Sequence, residues 1–157
     1  MVNRILKVGG SGRTMFIGEY SHTIDEKRRL AIPSKFRGAL GKKAVITRGL
    51  DSCLFVFPAK EWDSLAQKLG TLPLGQSDAR GFLRLILSGA MDVSFDGLGR
   101  ILVPDYLREY AFLKKQVVVT GVFNGLEGWD EVLWKKYKGR SEREIGDMAE
   151  RLGELGV

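Results

Sequence analysis

The strongest constraint on this chain is a pattern that it writes twice. Asp25-Glu26-Lys27-Arg28-Arg29-Leu30-Ala31-Ile32-Pro33 returns 71 residues later as Asp96-Gly97-Leu98-Gly99-Arg100-Ile101-Leu102-Val103-Pro104, and Arg37 recurs as Arg108. Asp, Arg, the inner apolar residues and Pro keep their places. One extra residue near Phe112 moves the offset to 72, at which Val45 meets Val117, Gly49 meets Gly121, Leu54 meets Leu126 and Trp62 meets Trp134. Self-similarity at a fixed spacing marks a repeated structural unit. With 157 residues, 44% of them hydrophobic, two such halves can share one core that neither fills alone.

Each half reads as strand, strand, short helix, strand, strand, helix. In the first, Phe16 to Thr23 and Leu30 to Ile32 are strands, and Pro33 stands at the first position of a short helix, where its missing N–H costs nothing. Gly41 ends that helix. Ala44 to Arg48 and Leu54 to Phe57 are strands joined through Gly49-Leu50-Asp51-Ser52, and after Pro58 the residues Trp62, Leu65, Ala66 and Leu69 recur at helical spacing. The second half repeats the order: Met91 to Phe95, Ile101 to Val103, a helix from Pro104, Gln116 to Thr120, Leu126 to Trp129 around Asn124-Gly125, and a helix with Trp134 and Tyr137.

Between the halves, Thr71 to Gln76 is a linker, and Ser77 caps a bridging helix whose apolar face is Phe82, Leu83, Ile86 and Leu87. At the end, Ser141 and Glu144 form a capping box for a separate last helix. Its stripe of Ile145, Met148, Ala149, Leu152 and Leu155 must dock on its own domain or on a neighbour. The division expected is a flexible basic arm over 1–14, a first repeat over 15–70, linker and bridging helix over 71–90, a second repeat over 91–137 and a C-terminal helix over 138–157.

Several classes of function fall away. The only His is His22, the only Cys is Cys53, and no Ser sits in a Gly-framed elbow, so the parts of a nucleophilic centre are missing and no enzyme is expected. With no Cys/His cluster there is no metal-site spacing, no cofactor fingerprint is present, and one Cys makes no internal disulfide. Residues Gly9 to Thr14 resemble a phosphate loop only superficially, because Lys7 stands where the pattern needs Gly and Arg13 where it needs Lys. No run of 18 apolar residues exists, and Ile5, Leu6 and Val8 make too short a stretch for a secretory signal, which points to the cytosol.

What remains is binding. Twenty-five Lys and Arg against 19 Asp and Glu leave a net charge of +6, which favours a polyanionic partner, nucleic acid ahead of membrane. The repeated Asp-x-x-x-Arg segment is a turn between two strands, with Lys27, Arg28 and Arg29 in the first copy and Arg100 in the second. An Arg fork matches the two major-groove acceptors of guanine, and Lys neutralises phosphate. Equally, Arg29 and Arg100 can be held by Asp25 and Asp96 and serve only to lock the turn, and the two roles are compatible. Arg37 and Arg108 read as structural or interfacial. The tryptophans lie on apolar faces away from the basic turns, which disfavours a single-strand RNA platform.

At these residues the chain resembles the MraZ family of bacterial regulators from Met15 to about Tyr137. The resemblance rests on Met15-Phe16, the twin turns followed by apolar-x-apolar-Pro, Cys53-Leu54 with Pro58 and Trp62, and the Gly121 to Asp130 hairpin ending Glu127-x-Trp129-Asp130. It implies an α+β, β-rich fold of two tandem AbrB-like, swapped-hairpin repeats with flanking helices, assembled into a ring of about eight or more subunits. It also implies binding of double-stranded DNA at direct repeats upstream of the division and cell-wall gene cluster, with contacts at Asp25, Lys27, Arg28, Arg29, Asp96 and Arg100. Arg28 stands where the family commonly has Gly. If that position has positive φ the strain is roughly 1–2 kcal/mol. Leu98, in place of a cation, makes the second turn the weaker electrostatic partner. The competing reading is a structural or protein-interaction ring without specific DNA binding.

Overall fold

The computed structural model describes residues 7–8 and 13–156. Within the N-terminal arm, β1 (Lys7–Val8) pairs antiparallel with β2 (Arg13–Thr14). The rest of the arm, including Gly9 to Gly12, lies outside the described residues.

The body is one six-stranded antiparallel sheet that interleaves the halves. Half one contributes β3 (Phe16–Thr23), β5 (Ala44–Arg48) and β6 (Leu54–Pro58). Half two contributes β7 (Met91–Val93), β9 (Gln116–Phe123) and β10 (Leu126–Asp130). The order is β3-β9-β10-β6-β5-β7, so each half supplies the outer strand of the other half's hairpin. At the centre β10 pairs with β6 in the register Leu126↔Val56, Glu127↔Phe55 and Gly128↔Leu54. Phe55 and Glu127 are equivalent in the repeat, so a pseudo-two-fold axis passes between them.

The same axis threads a second, two-stranded ribbon. β4 (Arg29–Ala31) and β8 (Arg100–Leu102) pair antiparallel with Leu30 opposite Ile101, again equivalent residues. Both point inward, and strand alternation turns Arg29, Ala31, Arg100 and Leu102 to the other face. Beneath the ribbon a continuous core joins Leu30, Ile32, Phe36, Leu40, Ile101, Val103, Leu107, Val117, Val119 and Leu126, contributed by both halves. Gly121 belongs to this interleaving. A Cβ there would lie 2.4 Å from the Ile17 backbone nitrogen, so only Gly lets β3 close against β9.

The helices cover the sheet much as the periodicity suggested, with three corrections. Pro33 and Pro104 precede α1 (Ser34–Leu40) and α4 (Asp105–Tyr110) as extended cap residues, with ψ of 134° and 150°, rather than opening the helices. Gln76, not Ser77, is the cap residue of the bridging helix α3 (Ser77–Gly89), which follows α2 (Ala59–Gly70). This helix carries a hydrogen bond from each half: Thr47 Oγ1 donates to the Ile86 carbonyl at 2.6 Å, and Tyr106 of half two donates its hydroxyl to the Gly89 carbonyl at 2.9 Å. Phe82, expected on its buried face, is exposed.

The third correction is the largest. Residues 131–153 form one continuous helix, α5 (Glu131–Gly153), capped by Asp130, whose carboxylate accepts from Leu133 N–H. Ser141 and Glu144 therefore sit in mid-helix and make no capping box. Nothing between Trp134 and Ile145 breaks helical propensity strongly: Gly139 costs about 1 kcal/mol, too little to end a helix already nucleated. The first turns pack Trp134 and Tyr137 on Trp129, at centroid distances of 5.3 and 5.0 Å. Ile145, Leu152 and Leu155, further along, are exposed.

Candidate nucleic-acid interface

The twin turns are superimposable bond for bond. In the first, Arg28 N–H donates to the Asp25 carbonyl at 3.0 Å and Asp25 N–H to the Arg29 carbonyl at 3.0 Å. In the second, Gly99 N–H donates to the Asp96 carbonyl at 3.0 Å and Asp96 N–H to the Arg100 carbonyl at 2.9 Å. This is a three-residue hairpin loop with its last residue left-handed, at φ of 65° for Arg28 and 73° for Gly99. The carbonyl of that residue then serves the opposite half. Gly99 accepts from Ile32 N–H at 3.1 Å and Arg28 from Val103 N–H at 2.8 Å. The turns are thus tied into the ribbon by each other's strands, which is why the left-handed geometry persists at Arg28 despite its Cβ.

Arg28 relieves part of that strain through its side chain, which meets Asp105 of α4 at 2.6 Å. The pair is exposed on both sides, and such pairs contribute about 0–1 kcal/mol. Arg28→Gly would remove about 1–2 kcal/mol of left-handed strain together with that pair. The expected result is a melting temperature unchanged or raised, by no more than about 8 °C at this chain length. A fall of several degrees in a thermal melt would show that the ion pair outweighs the backbone.

Each aspartate organises its turn. Asp25 Oδ1 accepts from the N–H of Lys27 and of Arg29, both at 2.9 Å, and its Oδ2 takes Arg29 Nε at 2.7 Å. Asp96 does the same for Leu98 and Arg100, with Arg100 Nε at 2.8 Å. Arg100 Nη1 also comes within 3.5 Å of Asp25 Oδ2, across the axis. The structure therefore brings Asp25, Arg29, Asp96 and Arg100 together at one seam, with both arginines about a third exposed or less and fixed through Nε. Lys27 is exposed and has no carboxylate partner among the described residues. Leu98, its counterpart, is 69% exposed.

The backbone N–H of Arg29, with its side chain and Lys27 N–H, holds the Asp25 carboxyl below its ordinary value of 3.8. Arg100 N–H, followed by Leu98 N–H and the Arg100 side chain, does the same for Asp96. Folding therefore favours the ionised form of both, and protonation favours the unfolded chain. Their contribution is complete above the ordinary aspartate range and disappears as pH falls through the depressed folded values. Between pH 8 and pH 5 these two groups should leave the melting temperature unchanged, with loss beginning below about pH 4. In an Asp25→Asn, Asp96→Asn chain, melts from pH 7 to 2 should show a shallower acid limb. An identical limb would show that the turns carry no such linkage.

The remaining titratable groups lie elsewhere. Cys53 is buried with its thiol 3.4 Å from Glu127 Oε2, and burial followed by that negative charge pushes the thiol up, away from a nucleophilic thiolate. His22 lies on β3 opposite Val117, and partial burial followed by the Arg37 charge lowers its pKa below the ordinary histidine value. Arg37 donates Nε to the Ile32 carbonyl at 2.9 Å and lies where a Cβ on Gly99 would be, so its role is structural. Arg108 lies 3.6 Å from Asp105.

Two features were missed in the sequence. Asp105 as the partner of Arg28 had no signal, since the two are 77 residues apart. Lys42-Lys43 and Lys114-Lys115 did have one: the pairs coincide at the 72-residue offset that aligns Val45 with Val117.

An intertwined pair of α+β repeats, carrying two Asp-anchored arginine turns at its axis, defines a tandem-repeat protein with a seam of paired arginines and aspartates. The MraZ family model, described as "MraZ protein, putative antitoxin-like", matches it twice, over residues 15–85 and 86–153. Similar proteins include "Transcriptional regulator MraZ" of Carboxydothermus hydrogenoformans, 47% identical over 88% of this chain and 96% of that protein. The proteins of the same name from Acetivibrio thermocellus and Desulfitobacterium hafniense (strain DSM 10664 / DCB-2) are 46% and 48% identical, over 91% of this chain and the whole of each relative. The chain belongs to the MraZ family.

Proposed function

We propose that the chain is a sequence-specific, DNA-binding transcriptional regulator with no reaction of its own, acting in the cytoplasm at the nucleoid. The observation that carries the reading is the placing of Arg29 and Arg100 at one axis, each oriented by an aspartate through Nε; the rest of the Arg29 guanidinium has no further partner among the described residues, while Arg100 Nη1 also lies 3.5 Å from Asp25 Oδ2. A guanidinium held in this way loses little freedom on meeting a guanine edge. The relatives' names support regulation of transcription.

In this reading Asp25 and Asp96 position, Arg29 and Arg100 read bases, and Lys27 meets phosphate or a base. Arg28 adds a contact only by sharing its charge with Asp105. Leu98 makes the second turn the weaker electrostatic contact. The two repeats are of the AbrB and MazE swapped-hairpin kind, and subunits assemble into a closed ring of eight or more that presents a row of turns to direct repeats upstream of the chain's own division and cell-wall operon. Modest single contacts then add through effective concentration.

The test is a titration of that upstream fragment against a scrambled duplex at two salt concentrations. Tight, salt-sensitive and selective binding is expected. Equal affinity for both duplexes would reduce the function to general polyanion binding, and no binding would leave a structural ring module.

A further inference from the structure

The cations that the turns do not use are placed as regularly as the turns themselves. Thr23 pairs with Gln116, and Ile24 N–H donates to the Lys115 carbonyl at 2.9 Å, so the chain entering the Asp25 turn runs alongside Lys115 and Lys114. Asp25, Glu26, Arg108, Lys114 and Lys115 line a common cleft of about 440 Å³. On the other side of the axis Ala44 pairs with Val93, and continuing that register carries Lys43 and Lys42 to the segment entering the Asp96 turn. The repeat thus sets one lysine pair outboard of each turn, and in both cases the pair comes from the other half. All four lysines are exposed, and none forms an ion pair among the described residues.

Four exposed lysines in two unpaired couples are an electrostatic cost to the isolated chain that packing does not explain. Of the two acids lining the cleft, Asp25 already serves Arg29 and Arg100, which leaves Glu26 as the opposing charge there. Arginines at the centre with lysine couples at both flanks is an order suited to a duplex, whose base edges lie in a groove between two phosphate walls. Lys, a compact charge on a flexible stem, suits phosphate, where position rather than base pattern is met.

We propose that Lys42-Lys43 and Lys114-Lys115 are a phosphate-binding set that brackets the twin turns and supplies the sequence-independent share of affinity for duplex DNA. The inference rests on the DNA-binding reading above and adds residues that the turn motif does not contain.

The experiment measures affinity of the full chain for specific and scrambled duplexes from about 50 to 200 mM salt, where the slope of log affinity against log salt changes by about 0.9 per phosphate contact. Lys42→Ala/Lys43→Ala and Lys114→Ala/Lys115→Ala are compared with Lys60→Ala/Lys68→Ala, which removes the same charge from α2. Each flanking double variant should make the slope shallower by about 1 to 2 per engaged subunit, with affinity lowered by the same factor on both duplexes, about tenfold per engaged subunit. The α2 control should keep the wild-type slope. Flanking variants that match the control would overturn the proposal while wild-type binding upheld the DNA reading. Loss confined to the specific duplex would overturn it too, by placing the lysines on bases. A wild-type chain that binds neither duplex would remove both inferences together.

Discussion

Arg29→Ala is expected to weaken binding to specific duplex DNA by about five- to hundredfold per engaged turn while leaving folding and assembly intact. A bidentate arginine contact discriminates by about 1–3 kcal/mol, and on an assembly with several turns engaged the losses accumulate. Structural damage should be small. Arg29 lies on the outer face of the ribbon, opposite Leu102, and its side chain keeps about a third of its surface in solvent. Asp25 would retain the N–H groups of Lys27 and residue 29 and the neighbouring Arg100. Affinity can be read by anisotropy and assembly by sizing the same sample. Unchanged affinity with assembly preserved would show that Arg29 only locks its turn.

The second large effect is on stability. Ile101 is 1% exposed and meets Leu30 on the pseudo-two-fold axis, with the shared core below and the arginine turns at either end. Ile101→Ala should cost about 2–5 kcal/mol, because the two tied strands around it cannot collapse freely into the space left. At this length that is a fall of about 4–20 °C in melting temperature. Its neighbour Leu102, on the outer face and 51% exposed, supplies the internal control. Leu102→Ala should stay within about 0.5 kcal/mol of the parent. Equal losses at the two positions would mean that the ribbon's faces are assigned wrongly. Because one core spans both halves, the Ile101→Ala loss should appear as a single transition.

On the proposed DNA-binding reading, the asymmetry between the turns would give the chain a direction on its target. Half one carries Lys27 and Arg28 where half two carries Leu98 and Gly99, and Ala31 faces outward where Leu102 does. The axis relates the backbones but not the chemistry. In the proposed complex, half one supplies the stronger attraction, and the lysine couples at both flanks restore some of the symmetry that the turns lack.

Much of this was already written in the primary structure. The repeat set the number of halves, the order of elements in each and the equivalence of the two Asp-Arg turns, because a short periodic strand, a Pro before a helix and a Gly at a hairpin act over a few residues. A left-handed position for Arg28 is conditional, in the sequence, on the family's Gly there, and the structure gives it φ of 65° beside 73° at Gly99. What only the tertiary structure decided is which half each strand serves. Local pattern says that β3 is a strand with one buried face, and β9 satisfies its hydrogen bonds as well as β5 would; the choice is made by packing across the shared core. The single long α5 is of the same kind, since Ser141 and Glu144 are good capping residues that a helix already nucleated at Asp130 and held by Trp134 and Tyr137 on Trp129 simply runs through. The ion pair of Arg28 with Asp105, and the seating of each lysine couple beside the other half's turn, likewise follow from the interleaved sheet, which joins residues far apart in the chain that no local rule connects.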